Sequence, residues 1–141
     1  WILSRQLHHE ETQRDIALRL RADSIDSLNQ VEIRQILKEH GFPKKTEVGT
    51  SACEAAWIII QHAPLDVQKE YLPMLERAAT EGNIQAALVA ALHDRIDVRE
   101  GRPQKYGTQR NRNGICPLLN KKMVNQWRKE VGLPPLDEFS K

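Results

Sequence analysis

No apolar run in this sequence reaches the length needed to cross a bilayer, which excludes a membrane-spanning helix. Cysteine is scarce: Cys53 and Cys116 stand far apart without a Cys-x-x-Cys spacing, which argues against a metal knuckle or a thioredoxin-like pair and leaves room for one disulfide at most. Cys53, among small and apolar residues, is expected simply to be packed. Neither sign of charge dominates, since 21 basic residues face 19 acidic ones, and a net +2 predicts no strong general attraction to nucleic acid. Gly-x-Ser-x-Gly, a phosphate-binding glycine loop and His-Glu-x-x-His are all missing, so the familiar nucleophile and metal mechanisms lack their signatures. There is no internal repeat, heptad run, low-complexity tract or linker. Because the chain begins at Trp1 and not at methionine, a preceding segment is expected, and any export signal would lie in it.

What is present suits a soluble globular protein. A hydrophobic content of 40% with 28% charged residues is ordinary for that class, and 141 residues suffice for one domain with its own core. The centre of the chain is Ala55 to Asp66, where Trp57, Ile58, Ile59 and Ile60 lead into Gln61 and His62 before Pro64. Apolar character all round predicts a buried helix, from near Ser51 to His62, that ends in a half-buried polar pair.

Helical spacing predicts a first helix over Ile2 to Arg21, with Leu3, Leu7, Ala17, Leu18 and Arg21 along one stripe. Its polar middle puts Glu11 and Arg14 either in solvent or toward a cavity. A second helix is expected from Leu28 to His40, capped by Asp26 or Ser27, stopped by Gly41 and Pro43, and packed through Ile33, Ile36 and Leu37. After a loop over Lys44 to Thr50 and the central helix, Asp66 is expected to cap a helix carrying Val67, Tyr71, Met74, Leu75 and Ala78, kinked at Pro73 and ended by Gly82. A fifth helix runs from Ile84 to about Val98. Gly101 to Gln109 then has no helical period and is expected to pair with Ile115 to Leu118 as a hairpin. Asn120 caps a last helix that ends before Gly132, and Leu133 to Leu136 form an extended tail lying back over the core. The fold class is all-α, about six helices with a small β-hairpin near the C-terminal third, in one globular domain over 1–141.

Polar residues cluster where their flanks say core: Gln61 and His62, Asp94 and Arg95, and Gln104 to Gln109. Neutral imidazole accepts a proton near pH 7, and a carboxylate on its other nitrogen fixes its tautomer. His62 is therefore a candidate acid or base, with Asp94 to orient it. Arg95 offers a bidentate donor for a carboxylate or phosphate, while Gln61, Gln104, Tyr106, Thr108 and Gln109 supply neutral hydrogen bonds. The structural alternative is a core histidine, a salt-bridging Asp94 and Arg95, and a tight hairpin. His8 and Glu11 share a helix face without a third ligand and make a poor metal site, so neither a metal nor a cofactor is expected. Arg99, Arg102, Lys105, Arg110 and Arg112 gather around Tyr106 as a modest anion or nucleic-acid footprint, or as a solvated hairpin.

The succession Gly41-Phe42-Pro43, Val48-Gly49, Ala56 to Ala63, Tyr71-Leu72-Pro73, Asp94-Arg95, Gly101 to Gln109 and Val131 to Leu136 resembles an uncharacterised, mainly bacterial family, domain of unknown function 6624. The likeness spans nearly the whole chain from Ile36 onward. Pro64 stands where that family commonly has an acidic residue, and Phe42 where it has tryptophan. The resemblance supports the choice of segments and implies no reaction.

Three functional readings follow. The first is a small metal-independent enzyme, a hydrolase before a transferase because water needs no cofactor motif, acting through His62 on a polar or anionic substrate. The second is a module that binds a polar ligand or protein partner through the same cluster. The third is a toxin-like ribonuclease using the basic hairpin.

Overall fold

The structure, a computed structural model, describes the backbone of residues 2–137 and the side chains of residues 14–137. Leu3, Leu7 and the His8 and Glu11 pair therefore lie outside the described side chains.

Helix α1 runs unbroken over Ile2–His40, where the sequence predicts two helices. Neither glycine nor proline occurs before Gly41, so nothing in the covalent chain interrupts it. Ser27, expected as a possible cap, turns back into the helix instead: its Oγ donates to the Asp23 carbonyl at 2.8 Å, as Ser24 Oγ does to that of Leu20 at 2.8 Å. Among the described side chains of α1, those at its C-terminal end join the core, through buried Leu37 and partly buried Ile33. Ile36, Leu18, Ala17 and Arg21, expected to face inward, are exposed, and Arg14 is in solvent. The helix extends beyond the body it packs on.

A single turn, α2 (Lys45–Val48), forms in the expected loop and leads through Gly49 into α3 (Thr50–His62). Cys53, Ala56, Trp57 and Ile60 are the buried residues of α3, a spacing of three, one and three that marks one face. Ile58 is 48% exposed, so this helix is buried along a stripe and not all round.

Helices α4 (Leu65–Thr80) and α5 (Ala86–Arg99) make the most extensive helix contact in the fold. Val67, Tyr71, Leu75 and Ala78 face Val89, Leu92 and Ile96 within one core cluster. Pro64, not Asp66, precedes α4, and the helix continues through Pro73. Beyond α5 the chain reverses at Gly101, whose φ of +74° an L side chain rarely adopts. The N–H groups of Gly101 and Arg102 donate back to the carbonyls of Val98 and Asp97, which brings Arg102 alongside the helix it has just left.

The hairpin is present but smaller and later than expected. Strand β1 (Arg110–Asn111) pairs antiparallel with β2 (Gly114–Ile115), and of the segment before it only Gln104 bridges to Leu118. Asn120 opens a turn by accepting the Lys122 N–H, and α6 (Val124–Glu130) follows. The tail then lies back on the preceding loop, with Leu136 buried and its N–H and carbonyl both bonded to the Asn125 amide. Both cysteines are free and buried.

Candidate functional site

Asp94 lies on α5 with none of its surface exposed. Its Oδ1 accepts the N–H groups of Lys105 and Tyr106 at 2.9 Å, and its Oδ2 accepts the N–H and the hydroxyl of Thr108 at 2.9 Å. A carboxylate has about four acceptor sites, so this one is saturated from within the chain. Gln104, also fully buried, donates to the carbonyls of Gln109 and Cys116 and accepts the Gln109 N–H. Gln109 in turn donates to the Ala91 carbonyl and to Thr108 Oγ1. The polar residues of 104–109 are thus wound around one buried anion, and Arg128 closes the loop by donating to the Tyr106 carbonyl at 2.7 Å.

His62 is placed differently from the sequence expectation. It is the last residue of α3, exposed, with no hydrogen bond or ion pair among the described residues, while Asp94 faces the loop. A helix that buries only one stripe turns its final residue outward, which is why the half-buried acid–base pair does not form. Arg95 does reach the end of α3: its Nη1 donates to the Gln61 carbonyl at 3.3 Å. Burial, and secondarily the neighbouring Arg99, hold its pKa below the usual arginine value. Of the anticipated cluster, Gln61 and Arg95 meet, Asp94 binds Thr108 and the loop backbone, and Tyr106 turns its side chain elsewhere.

Tyr106 faces a pocket of about 260 Å³ between α4 and α5. Small apolar residues, Ala79, Ala86, Val89, Ala90 and Val131, make most of its wall, and Glu76, Thr80, His93 and Tyr106 supply the polar groups. At 100° per residue, positions 93 and 97 fall on the side of α5 opposite 91 and 95, so the pocket and the Arg95 side are separate faces of one helix.

His93 is the titratable ring in this pocket. Its side chain is 40% exposed, yet its Nδ1 is buried, 3.1 Å from Asp97 Oδ2 and without hydrogen-bond geometry to it. The exposed part of the ring therefore excludes that nitrogen. Asp97 Oδ1 accepts Arg102 Nε at 3.0 Å and Nη2 at 2.6 Å. Arg102 also pairs with Glu100, and Glu100 with Lys69. The Lys69 hydrogen bond, then that from Arg102, pulls the Glu100 carboxyl below its ordinary range, and Asp97, then Glu100, raises the Arg102 guanidinium.

The ligand atoms of His93, Asp94 and Asp97 all lie within 4.8 Å of one another, which is close enough to share a cation. The donor set does not fit one. Four N–H and O–H groups already point at the Asp94 oxygens and a guanidinium holds Asp97, so a metal would have to displace charge-assisted hydrogen bonds from both.

His93, Asp97 and Glu76 escaped the sequence reading. The signal for the first two was a His-x-x-x-Asp spacing, one helical turn apart and in line with Ala86 and Ala90. In the basic segment, Arg102 is engaged by Asp97 and Glu100, and Lys105 Nζ lies 5.1 Å from the Tyr106 ring centroid and 5.3 Å from that of Trp127. These two cations are drawn into the protein's own contacts.

Fold and site together define a mainly helical protein with a pocket between two packed helices and no helix, among the described residues, long and apolar enough to cross a membrane. The chain belongs to the family of unknown function DUF6624, whose family model matches residues 10–141. No curated protein and no solved structure matches it.

Proposed function

We propose that this protein is a small enzyme, in the first instance a hydrolase, that acts on a small molecule seated between α4 and α5 with His93 as the group that moves the proton. The observation that carries this reading is the His93 ring itself, which lines the pocket while its Nδ1 is buried beside Asp97. A neutral imidazole nitrogen can take up a proton from a bound molecule, which suits a general base. Tyr106 and Glu76 supply a hydroxyl and a carboxylate on the same walls. His62 is the second candidate, with no group among the described residues to orient its ring.

The competing reading is a binding module, favoured by the complete pairing of Asp94, Gln104 and Thr108 inside the fold. A panel of esters, amides and phosphoesters, assayed with wild type, His93→Gln, Asp97→Asn and His62→Gln, separates the two. Turnover that drops about 100-fold or more in His93→Gln, and is unchanged in His62→Gln, supports the enzyme. Turnover insensitive to His93→Gln overturns its role, and ligand binding without turnover selects the module.

A further inference from the structure

The chemistry of the pocket wall says what kind of molecule it accepts. We infer that its ligand is a small primary amine or other compact cation on an apolar body, an inference that rests on reading this pocket as the functional site. Glu76 is the formally charged residue lining the pocket whose carboxylate has no ion-pair partner among the described residues, and no lysine or arginine lines it. The nearby charges cancel among themselves. Asp97 and Glu100 are matched by Arg102 and Lys69, whereas the Glu76 carboxylate on the pocket wall has no such match among the described residues. The guanidinium that the sequence offered for an anion, Arg95, is on the opposite side of α5, bonded to the Gln61 carbonyl.

A second observation points the same way. The Tyr106 ring that lines the pocket already attracts an ammonium group, since Lys105 Nζ lies 5.1 Å from its centroid. The negative face of a tyrosine ring favours a cation, and a carboxylate on a facing helix adds to that preference. Ala79, Ala86, Val89, Ala90 and Val131 then receive the apolar body. An anionic ligand would meet the Glu76 carboxylate, and no lysine or arginine lines the pocket to balance it, Lys105 being held at the Tyr106 and Trp127 rings.

Three ligands of one shape test this: benzylamine, benzyl alcohol and benzoate. Each is titrated into the full chain at about pH 8, where free benzylamine is protonated and free imidazole neutral, with the backbone amides of Ala79, Ala90, His93 and Val131 followed by NMR. Benzylamine is expected to bind about fivefold tighter than benzyl alcohol, with benzoate weakest. Glu76→Gln, which removes the charge of an exposed side chain that has no ion pair among the described residues, should bring that ratio to unity, and in wild type high salt should reduce it. If the alcohol or benzoate binds as tightly as the amine, or the preference survives Glu76→Gln and high salt, the amine inference is overturned while the pocket stands. If none of the three moves these amides, both the inference and the reading of the pocket fail.

Discussion

Asp94 holds Thr108 twice, taking its backbone N–H and its hydroxyl on the same oxygen at 2.9 Å each. A carboxylate buried this deeply is stable only because donors surround it, and here every donor comes from the loop that follows α5. The residue with the look of a catalytic acid is therefore the anchor of a loop. Replacing it with asparagine turns an NH2 group toward N–H donors that have no other partner. Asp94→Asn is expected to cost about 3 kcal/mol in urea unfolding, against about 1 kcal/mol for Thr108→Ala. A variant as stable as wild type would remove the anchoring role.

His62 predicts the opposite behaviour. An exposed side chain with no partner contributes little, so His62→Gln should change unfolding free energy by no more than about 0.5 kcal/mol. A larger loss would reveal a contact that the geometry lacks.

Gly107 gives a test of packing. Its φ is +69°, and a Cβ there would lie 2.8 Å from Leu136 Cδ1 and 3.1 Å from Leu118 Cδ2. Gly107→Ala is expected to destabilise by about 2 kcal/mol. Leu136→Ala should relieve the steric part but not the backbone part, and a double-mutant cycle in urea measures the coupling. Strict additivity would mean that the tail does not press on the loop.

Acid sensitivity follows from Glu100, whose carboxyl is held below its ordinary value of 4.5 by Lys69 and then Arg102. A carboxylate depressed in the folded state adds stability that is present above its unfolded pKa and is lost as pH falls through the folded value. Stability should thus decline below about pH 4.5, and Glu100→Gln should flatten that decline without changing stability near neutrality by more than a surface pair does. An unchanged acid limb in thermal melts would contradict this.

The two cysteines predict a labelling pattern. Cys53 is fully buried, donates through Sγ to the Pro43 carbonyl at 3.4 Å, and has its thiol pKa raised by burial. Thiolate is the reactive form, so native protein should react slowly with a thiol reagent, and both cysteines should label in urea without reductant. A missing label under those conditions would indicate a disulfide.

Periodicity and chain breakers account for most of what the sequence revealed. The apolar run from Trp57 to Ile60, and the spacing of Val67, Tyr71, Leu75 and Ala78, identified helices that the core confirms. Ser27 misled because a short hydroxyl side chain serves a cap and a helix interior equally well. Gly101 to Gln109 read as a strand because it lacks helical period, but an irregular segment bonded to a buried carboxylate lacks it too.

By itself the sequence determined the helical class, the glycine and proline breaks between helices, and which polar segments depart from ordinary surface. Those features depend on neighbours a few residues apart, where backbone geometry alone relates the side chains. Tertiary structure decided which polar residue faces which space. His93 and Asp94 are adjacent in sequence, yet a 100° rotation along α5 puts one at the edge of a pocket and the other inside a loop. That choice depends on how α5 rolls against α4 and on a chain returning from Gly101, interactions set by packing between distant segments.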